Sequence, residues 1–298
     1  MKKVLNLAMV FALTAFFVAC NDTDNEPTTG NLTVNLIGLE ELGADFVYEG
    51  WLIVNGAPVS TGTFTSVTFP QTYTVGINDL ESATKFVLSI EPAVDSDPAP
   101  AATKILAGGF IGNSASVNSD NIVVDSSGNI KTLGASWGKY ILATPTDADS
   151  TNEASGVWFL DNTNAPPAVA GLGLPTLTTG WKYEGWVVLN GTPVSTGTFT
   201  TPTGADDNAA TSPYKGTTGN GPGYPGEDYL VGSAAGVNFP TDLKGATVVI
   251  SVEPSPDNSP APFTLKPLAH KVPASAMNHT VISMGAGPKA ILEGTVTR

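Results

Sequence analysis

Cysteine, histidine and arginine are scarce in this sequence. Its 298 residues contain one Cys and two His, and Arg298 is the sole arginine. So little cysteine excludes a disulfide scaffold and a cysteine-rich zinc site, because each needs several thiols. Two histidines leave few residues for the commonest kind of acid–base catalysis. We therefore predict a protein that is not an enzyme and that holds no metal and no cofactor.

Charge is also low, and it is mostly of one sign. Charged residues make up 13% of the chain, and 27 acidic residues against 13 basic ones give a formal net charge of −14. This balance argues against nucleic acid as a partner, since neutralising phosphates takes Lys and Arg. Hydrophobic residues reach 41%, so the chain can build a packed core.

One long apolar run lies at the N-terminus. Lys2 and Lys3 precede an apolar stretch of 15 residues, 4–18. A membrane-spanning helix needs about 20 residues, so this stretch is too short to span a bilayer. The pattern predicts a secretory signal peptide over residues 1–19.

The end of this run resembles the lipobox of bacterial lipoproteins. Residues 17–20 read F-V-A-C, so the single cysteine directly follows the run and the small residue Ala19. In that family the signal is cut before the cysteine, which then carries a diacylglycerol. The resemblance implies lipid attachment at Cys20 and a protein anchored by lipid in the cell envelope, which we expect to be the outer membrane. Phe17 departs from the leucine that is usual three residues before the cysteine.

An acidic tether is predicted over residues 20–30. The polar sequence after Cys20 resembles the surface-export tags of some Gram-negative lipoproteins. A solvated spacer is an equal alternative. The choice between a periplasmic and a surface-exposed protein stays open.

The rest of the chain is organised by an internal repeat. Residues 48–64 and 183–199 match at 13 of 17 positions with an offset of 135. Residues 89–100 and 251–262 match at 7 of 12 positions with an offset of 162. The two offsets differ by 27, which predicts an insertion of that size in the second copy, over about 203–229. This Gly- and Pro-rich segment is expected to be a long loop.

Both copies have the pattern of short strands joined by tight turns. Asn55-Gly56 and Asn190-Gly191 each separate two apolar runs, which is the strongest short hairpin signal. No window outside the signal shows convincing helical periodicity. We predict an all-β fold of two tandem β-sandwich-like domains from an internal duplication, over residues 31–143 and 144–298. The boundary between them stays open within 111–155.

The order of motifs resembles the extracytoplasmic C-terminal domain of anti-sigma-K factors. In that family a Y-x-x-W-L strand precedes G-x-P-x-S-x-G-x-F, and an E-P segment follows. The matching positions are Tyr48, Trp51, Leu52, Gly56, Pro58, Ser60, Gly62, Phe64, Glu91, Pro92 and Pro98, with Tyr183, Trp186, Gly191, Pro193, Ser195, Gly197, Phe199, Glu253, Pro254 and Pro260 in the second copy. The family also has a cytosolic sigma-binding domain and a membrane helix, which this sequence lacks. The resemblance therefore implies a shared outer module, with no direct binding of a sigma factor expected.

Two kinds of site residue remain as hypotheses. Aromatic side chains could form a platform that stacks on sugar rings; the candidates are Trp51, Trp186, Tyr214, Tyr224 and Tyr229, and packing in the core is the alternative for the tryptophans. The repeated carboxylates Glu49, Glu91, Glu184 and Glu253 could suggest a glycosidase, but one active site does not require each of them twice. Glu91 stands directly before Pro92 at a strand end, so acceptance of hydrogen bonds is its favoured role.

Two functions follow from these observations. The first is a non-enzymatic, lipid-anchored envelope protein whose two modules serve sensing, scaffolding or contact with an envelope protein. The alternative is a surface lipoprotein that binds glycan or another ligand through the inserted loop and nearby tryptophans.

Overall fold

The structure is a computed structural model that describes residues 27–164, 166–257 and 259–298. The predicted signal peptide, Cys20 and most of the tether lie outside the described residues. The first third of the chain forms seven strands and one α-helix: β1 Thr29–Ile37, β2 Phe46–Val54, β3 Ala57–Phe64, β4 Gln71–Gly76, α1 Ile77–Ser82, β5 Ala83–Pro92, β6 Lys104–Ile111 and β7 Ser114–Asn118.

The middle of the chain is made of short strands and three single turns of 3-10 helix. The turns are Asp120–Ile122, Leu133–Ala135 and Glu153–Ser155. The strands are β8 Val123–Val124, β9 Trp137–Leu142, β10 Gly156–Trp158, β11 Leu160–Asp161, β12 Val169–Ala170, β13 Leu172–Gly173 and β14 Thr176–Leu177.

The last third forms ten strands. These are β15 Trp181–Leu189, β16 Thr192–Phe199, β17 Gly226–Asp228, β18 Ser233–Ala234, β19 Val237–Asn238, β20 Thr247–Pro254, β21 Lys266–Lys271, β22 Ile282–Ser283, β23 Gly285–Lys289 and β24 Glu293–Thr297. The predicted all-β fold is thus confirmed, since the described residues form one α-helix of six residues beside these strands.

That helix corrects one prediction. The sequence pattern of residues 75–80 predicts a strand, but β4 ends at Gly76 and α1 follows. The helix buries Leu80 and carries Asp79 in its first turn. Six residues make fewer than two helical turns, which is too short for a 3.6-residue period to appear in the sequence.

Two larger sheets carry the repeated segments. The first has eight strands in the order β3-β2-β5-β6-β7-β24-β1-β4, and all the pairs are antiparallel. The second has five strands in the order β16-β15-β20-β21-β23. A further five-stranded sheet of shorter strands has the order β13-β9-β10-β17, with β22 also paired to β9.

The C-terminal strand belongs to the first sheet. Residues 293–297 pair with β1 on one side and with β7 on the other. The chain therefore returns from the second repeat to complete the sheet of the first. The domain boundary at 143/144 stays a prediction, but the strand pairing runs across it.

Most of the buried apolar side chains form a single cluster that draws on both repeats. Tyr48, Leu52 and Phe86 are buried in it from the first sheet, and Tyr183 and Ile250 from the second. A smaller cluster of Ile141, Ala143, Trp158 and Leu160 lies beside the insertion.

Candidate functional site

The two repeated hairpins have the same backbone register. In the first, Tyr48 pairs with Phe64 and Trp51 with Ser60, with a bulge between Gly50 and Trp51. In the second, the counterparts pair identically, with the bulge between Gly185 and Trp186. The Asn-Gly turns have positive φ at both residues, 52° and 82° in the first and 49° and 80° in the second. These are the signs of a type I′ turn, so the predicted hairpins are confirmed.

A chain of hydrogen bonds fixes each tryptophan against the next strand. The indole N–H of Trp51 donates to Ser89 Oγ at 2.8 Å, and Ser89 Oγ donates to the Glu91 carboxylate. That carboxylate also accepts the backbone N–H of Ala101 at 2.9 Å. The polar atoms of this chain are therefore satisfied by one another inside the protein.

The second repeat builds the same chain. The indole N–H of Trp186 donates to Ser251 Oγ at 2.8 Å, and Ser251 Oγ donates to Glu253. Glu253 accepts the backbone N–H of Phe263 at 2.8 Å. The sequence alone predicts no role for the two serines, although both recur two residues before the Glu of a Glu-Pro pair.

A second pair, a serine with a glutamate, lies across each bulge. Ser60 Oγ donates to Glu49, and Ser195 Oγ donates to Glu184. Each serine oxygen in turn accepts the backbone N–H two residues on, at 3.1 Å for Gly62 and 2.9 Å for Gly197. All four repeated glutamates thus accept hydrogen bonds, a role that the sequence favoured for Glu91.

In the first repeat these residues line an open groove of about 360 Å³. We call it the first groove; it is lined by Val47, Glu49, Trp51, Ser60, Thr63, Glu91, Pro92, Ala93, Asp95, Asp97 and Pro98. Ser60 and Thr63 are exposed on its rim. Its lining carries four carboxylates and no Lys, Arg or His.

The insertion alters the surroundings of the matching residues in the second repeat, which we call the second groove. Asp207 accepts hydrogen bonds from Lys182 Nζ at 2.8 Å and from Thr198 Oγ1 at 2.6 Å. Its own backbone N–H donates to the Thr198 carbonyl at 2.8 Å. Glu184 is 4% exposed, whereas its counterpart Glu49 is half-buried. The insertion therefore covers the rim that is open in the first repeat.

The insertion is more ordered than the predicted loop. Its residues 226–228 form β17, which pairs with β10. Asp228 is fully buried and accepts hydrogen bonds from Thr146 N at 2.8 Å and from Trp158 Nε1 at 2.6 Å. Ser212 Oγ donates to the buried carboxylate of Glu227.

Gly221 lies against the indole of Trp158 so closely that a β-carbon would collide with the ring. Close packing against the Trp158 ring therefore accounts for this glycine.

The aromatic candidates lie mostly inside the protein. Trp51 is 3% exposed and Trp186 2%, and Tyr229 is fully buried with its hydroxyl on the carbonyl of Val194. Tyr214 is half-buried against Tyr229, and Tyr224 is half-buried with its hydroxyl on the carbonyl of Ala168. The tryptophan faces are therefore packed, and the sugar platform stays a prediction.

One exposed aromatic residue was missed. Trp137 is 52% exposed, and its indole lies on Gly173, its register partner on β13. It lies in neither copy of the repeat, so the repeat offered no signal for it.

Burial raises the pKa of two glutamates in the second groove. Burial raises the pKa of Glu253 to about 8, with Glu184 and Asp257 adding to the rise, and burial raises the pKa of Glu184 to about 7. The pKa of Glu91 is also raised by burial, while hydrogen bonds from Ser89 and Ala101 oppose the rise. Oε2 of Glu184 and Oε2 of Glu253 are both buried without a hydrogen-bond partner among the described residues.

The described residues contain neither a cluster of metal-ligating side chains nor a helix that could span a membrane. No three His, Cys, Asp or Glu side chains in them are placed to hold a metal ion. None of the helices in the same part of the chain is long and apolar enough to cross a membrane.

The fold defines a β-rich chain with two hairpins of the same register. Comparison with protein families gives one match: residues 23–105 match the family described as the anti-sigma-K factor RskA C-terminal domain. The matched segment contains the first hairpin and its Glu-Pro segment, so the predicted resemblance is confirmed for the first repeat. The second hairpin lies outside it. No curated protein and no solved structure gave a match.

Proposed function

We propose that this chain is a non-enzymatic, lipid-anchored protein of the cell envelope. Its two modules of the anti-sigma-K C-terminal type would serve contact with another envelope protein, in sensing or scaffolding. The observation that carries the proposal is the family match over residues 23–105. The equal register and hydrogen bonds of the second hairpin support reading it as a second module of the same type.

The repeated glutamates support a structural role over a catalytic one. Glu91 and Glu253 are buried and bound to a serine hydroxyl and a backbone N–H in the same way. A catalytic carboxylate must reach a substrate, and these two are about 1% exposed and bind groups of their own module.

Lipid attachment can be tested directly in cells. Radiolabelled palmitate should enter the wild-type chain and should not enter the Cys20→Ala variant, because a diacylglycerol thioether needs the thiol. The wild-type chain should then sediment with membranes and the variant should not. Label in Cys20→Ala, or equal sedimentation of both, would contradict the anchor.

Glycan binding is the second candidate function, and Trp137 favours it. Its half-exposed indole offers a face to solvent, as a sugar-stacking residue must. A glycan array should then show a signal that Trp137→Ala removes and that the buried change Trp186→Phe leaves. If the wild-type chain gives no signal, glycan binding is contradicted and contact with a protein remains the one proposed function.

A further inference from the structure

We propose that Glu184 and Glu253 share one proton, and that this proton keeps the insertion closed over the second groove. Loss of the proton would then open the groove as the pH rises. This pH-sensitive latch goes beyond the protein-contact function, because it needs neither the lipid anchor nor a partner protein. We call Glu184 and Glu253 together the carboxyl pair.

The two side chains of the carboxyl pair point to the same face of the second sheet. Glu184 on β15 lies opposite Ser251, and Glu253 is two residues further along β20. Side chains two residues apart on a strand share a face, and diagonal neighbours on adjacent strands can reach each other when the side chains are long. The two glutamates are only 4% and 1% exposed, so little water reaches either of them.

One oxygen of each carboxyl group lacks a hydrogen-bond donor. Oε1 of Glu184 accepts from Ser195 Oγ, and Oε1 of Glu253 accepts from Ser251 Oγ and from the Phe263 N–H. Oε2 of each is buried and has no hydrogen-bond partner among the described residues. A buried oxygen without a donor is costly. A proton between the two Oε2 atoms would satisfy both, since a protonated carboxyl donates and its ionised neighbour accepts.

Burial raises the pKa of both members of the carboxyl pair, to about 7 for Glu184 and about 8 for Glu253. The charge of Asp257 adds to both shifts, and that of Glu184 adds to the shift of Glu253. Lys266 on β21 also interacts with Glu253, and the buried hydroxyl of Tyr229 interacts with Glu184. Coupled carboxyl groups lose their protons in two steps, so the pair holds about one proton between about pH 7 and about pH 8.

The insertion is fastened to the two residues that lie opposite the carboxyl pair. Lys182 is the register partner of Glu253, and Thr198 is the register partner of Glu184. Asp207 Oδ2 accepts hydrogen bonds from both, from Lys182 Nζ at 2.8 Å and from Thr198 Oγ1 at 2.6 Å. Register partners on neighbouring strands share a face of the sheet, so the carboxylate of Asp207 is held beside the carboxyl pair.

Ionisation of both glutamates would loosen this attachment. Burial raises the pKa of Asp207, but hydrogen bonds from Lys182 and Thr198 lower it below its ordinary value, so its carboxylate stays charged. Once the shared proton is lost, three neighbouring carboxylates compete for Lys182, and like charges at short range repel one another. Lys182 would then turn toward Glu253, and Asp207 would leave the groove.

The first repeat offers a matched control. Glu49 and Glu91 occupy the equivalent positions there, but they line an open groove, and Val47 stands in place of Lys182. The Ala101 N–H donates to both oxygens of Glu91, at 2.9 and 3.2 Å. The features that would make a latch are therefore combined in the second repeat.

Hydrogen exchange at the backbone N–H of Asp207 tests the latch. This group donates to the Thr198 carbonyl at 2.8 Å when the groove is closed. In the full chain in detergent, NMR should show its protection factor, corrected for the intrinsic pH dependence of exchange, falling at least about tenfold between about pH 6 and about pH 9. The N–H of Val252, which donates to the Leu265 carbonyl at 2.9 Å, reports on opening of the whole sheet and should lose less protection.

Two matched double variants assign the effect. Glu184→Gln with Glu253→Gln should change the protection of Asp207 less than about twofold over the same pH range, because an amide side chain does not titrate there. Glu49→Gln with Glu91→Gln should leave the tenfold fall intact. Carbon-13 NMR of the wild-type glutamate carboxyls needs no variant, and it should show the carboxyl pair titrating in two steps.

Four outcomes would overturn the proposal. Three concern exchange at Asp207: constant protection between about pH 6 and about pH 9, an equal fall at Val252, or a fall that persists in Glu184→Gln with Glu253→Gln. The fourth is a higher unfolding temperature on adding calcium chloride near pH 7 that the same double variant abolishes, which would mean that a cation and not a proton joins the two Oε2 atoms.

Discussion

The hairpin of residues 48–64 and that of residues 183–199 share a register, a bulge and two sets of hydrogen bonds, yet their surroundings differ. The first borders an open groove, and the second is covered along its rim by the insertion. The comparison separates two levels of structure. Local sequence determines the hairpin and its polar contacts, while a segment found in one copy alone determines whether solvent and partners can reach it.

An aromatic ring packs on the equivalent glycine of each hairpin, but the two rings come from different elements. The ring of Phe86, from β5, packs on Gly50. The residue equivalent to Phe86 in the second repeat is Val248, and the ring of Phe159 from the middle of the chain packs on Gly185 instead. The packing is preserved although the residue that provides it comes from another element.

The largest effect is expected from Asp228, which holds the insertion in place. Asp228→Asn keeps the shape, but its NH₂ group must face donors on one side, either Trp158 Nε1 or the Thr146 N–H. We expect a loss of about 3 kcal/mol in the free energy of unfolding, because the buried donors on that side lose their acceptor. Chemical denaturation monitored by tryptophan fluorescence measures it, and a loss below about 1 kcal/mol would show that the insertion is held in another way.

The two tryptophans give the sharpest test of equivalence. Trp51→Phe and Trp186→Phe each remove an indole N–H from a buried serine and leave a small cavity. Each should cost about 2 kcal/mol, and the two losses should agree within about 1 kcal/mol. Trp137→Phe, at an exposed position, should change stability by less than about 0.5 kcal/mol. Very different losses at Trp51 and Trp186 would break the comparison.

Stability should fall as the pH rises above 5, mainly through the second repeat. Glu253 and Glu184 have folded pKa values of about 8 and about 7, above the ordinary 4.5. The folded state then binds protons more tightly than the unfolded state, so the stability they provide is present below pH 4.5 and is lost as the pH rises toward 8. Glu253→Gln should therefore reduce the difference in stability between pH 5 and pH 8.5 by about 1 kcal/mol or more.

Glu91→Gln is the matched control in the first repeat. Its carboxylate borders the open groove and accepts the Ala101 N–H with both oxygens, at 2.9 and 3.2 Å. Its effect on the pH difference should be smaller than that of Glu253→Gln. A larger effect at Glu91 would mean that Glu253 is no better shielded from solvent than Glu91.

The smallest effect is expected at the hairpin turns. Gly56 and Gly191 have φ of 82° and 80°, and a β-carbon at either would meet no atom within 4 Å. Alanine should therefore cost about 1 kcal/mol at each, from backbone strain alone. Thermal unfolding of both variants measures it, and a loss at one turn well above that at the other would reveal contacts that the hairpins do not share.

The sequence predicted the local structure well and its assembly poorly. The Asn-Gly turns and the strand around Trp51 were readable because their signals lie within a few residues of each other. The return of β24 to the first sheet and the pairing of β17 with β10 could not be predicted. The residues around Glu293 and Gly226 carry no local signal for the distant strand with which each pairs. The same holds for the hydrogen bonds. The sequence predicted that Glu91 accepts hydrogen bonds, but it did not predict that Ser89 and Ala101 are the donors.

Thr63 and Thr198 are equivalent residues, but the first faces an open groove and the second a covered one. Cysteine labelling tests this difference most directly. In a Cys20→Ser background, Thr63→Cys and Thr198→Cys would be reacted with the same maleimide at the same pH. Thr63 is exposed, whereas Thr198 is half-buried under Asp207. We expect the cysteine at position 63 to react at least about tenfold faster than the one at position 198. Equal rates, or faster reaction at position 198, would contradict it.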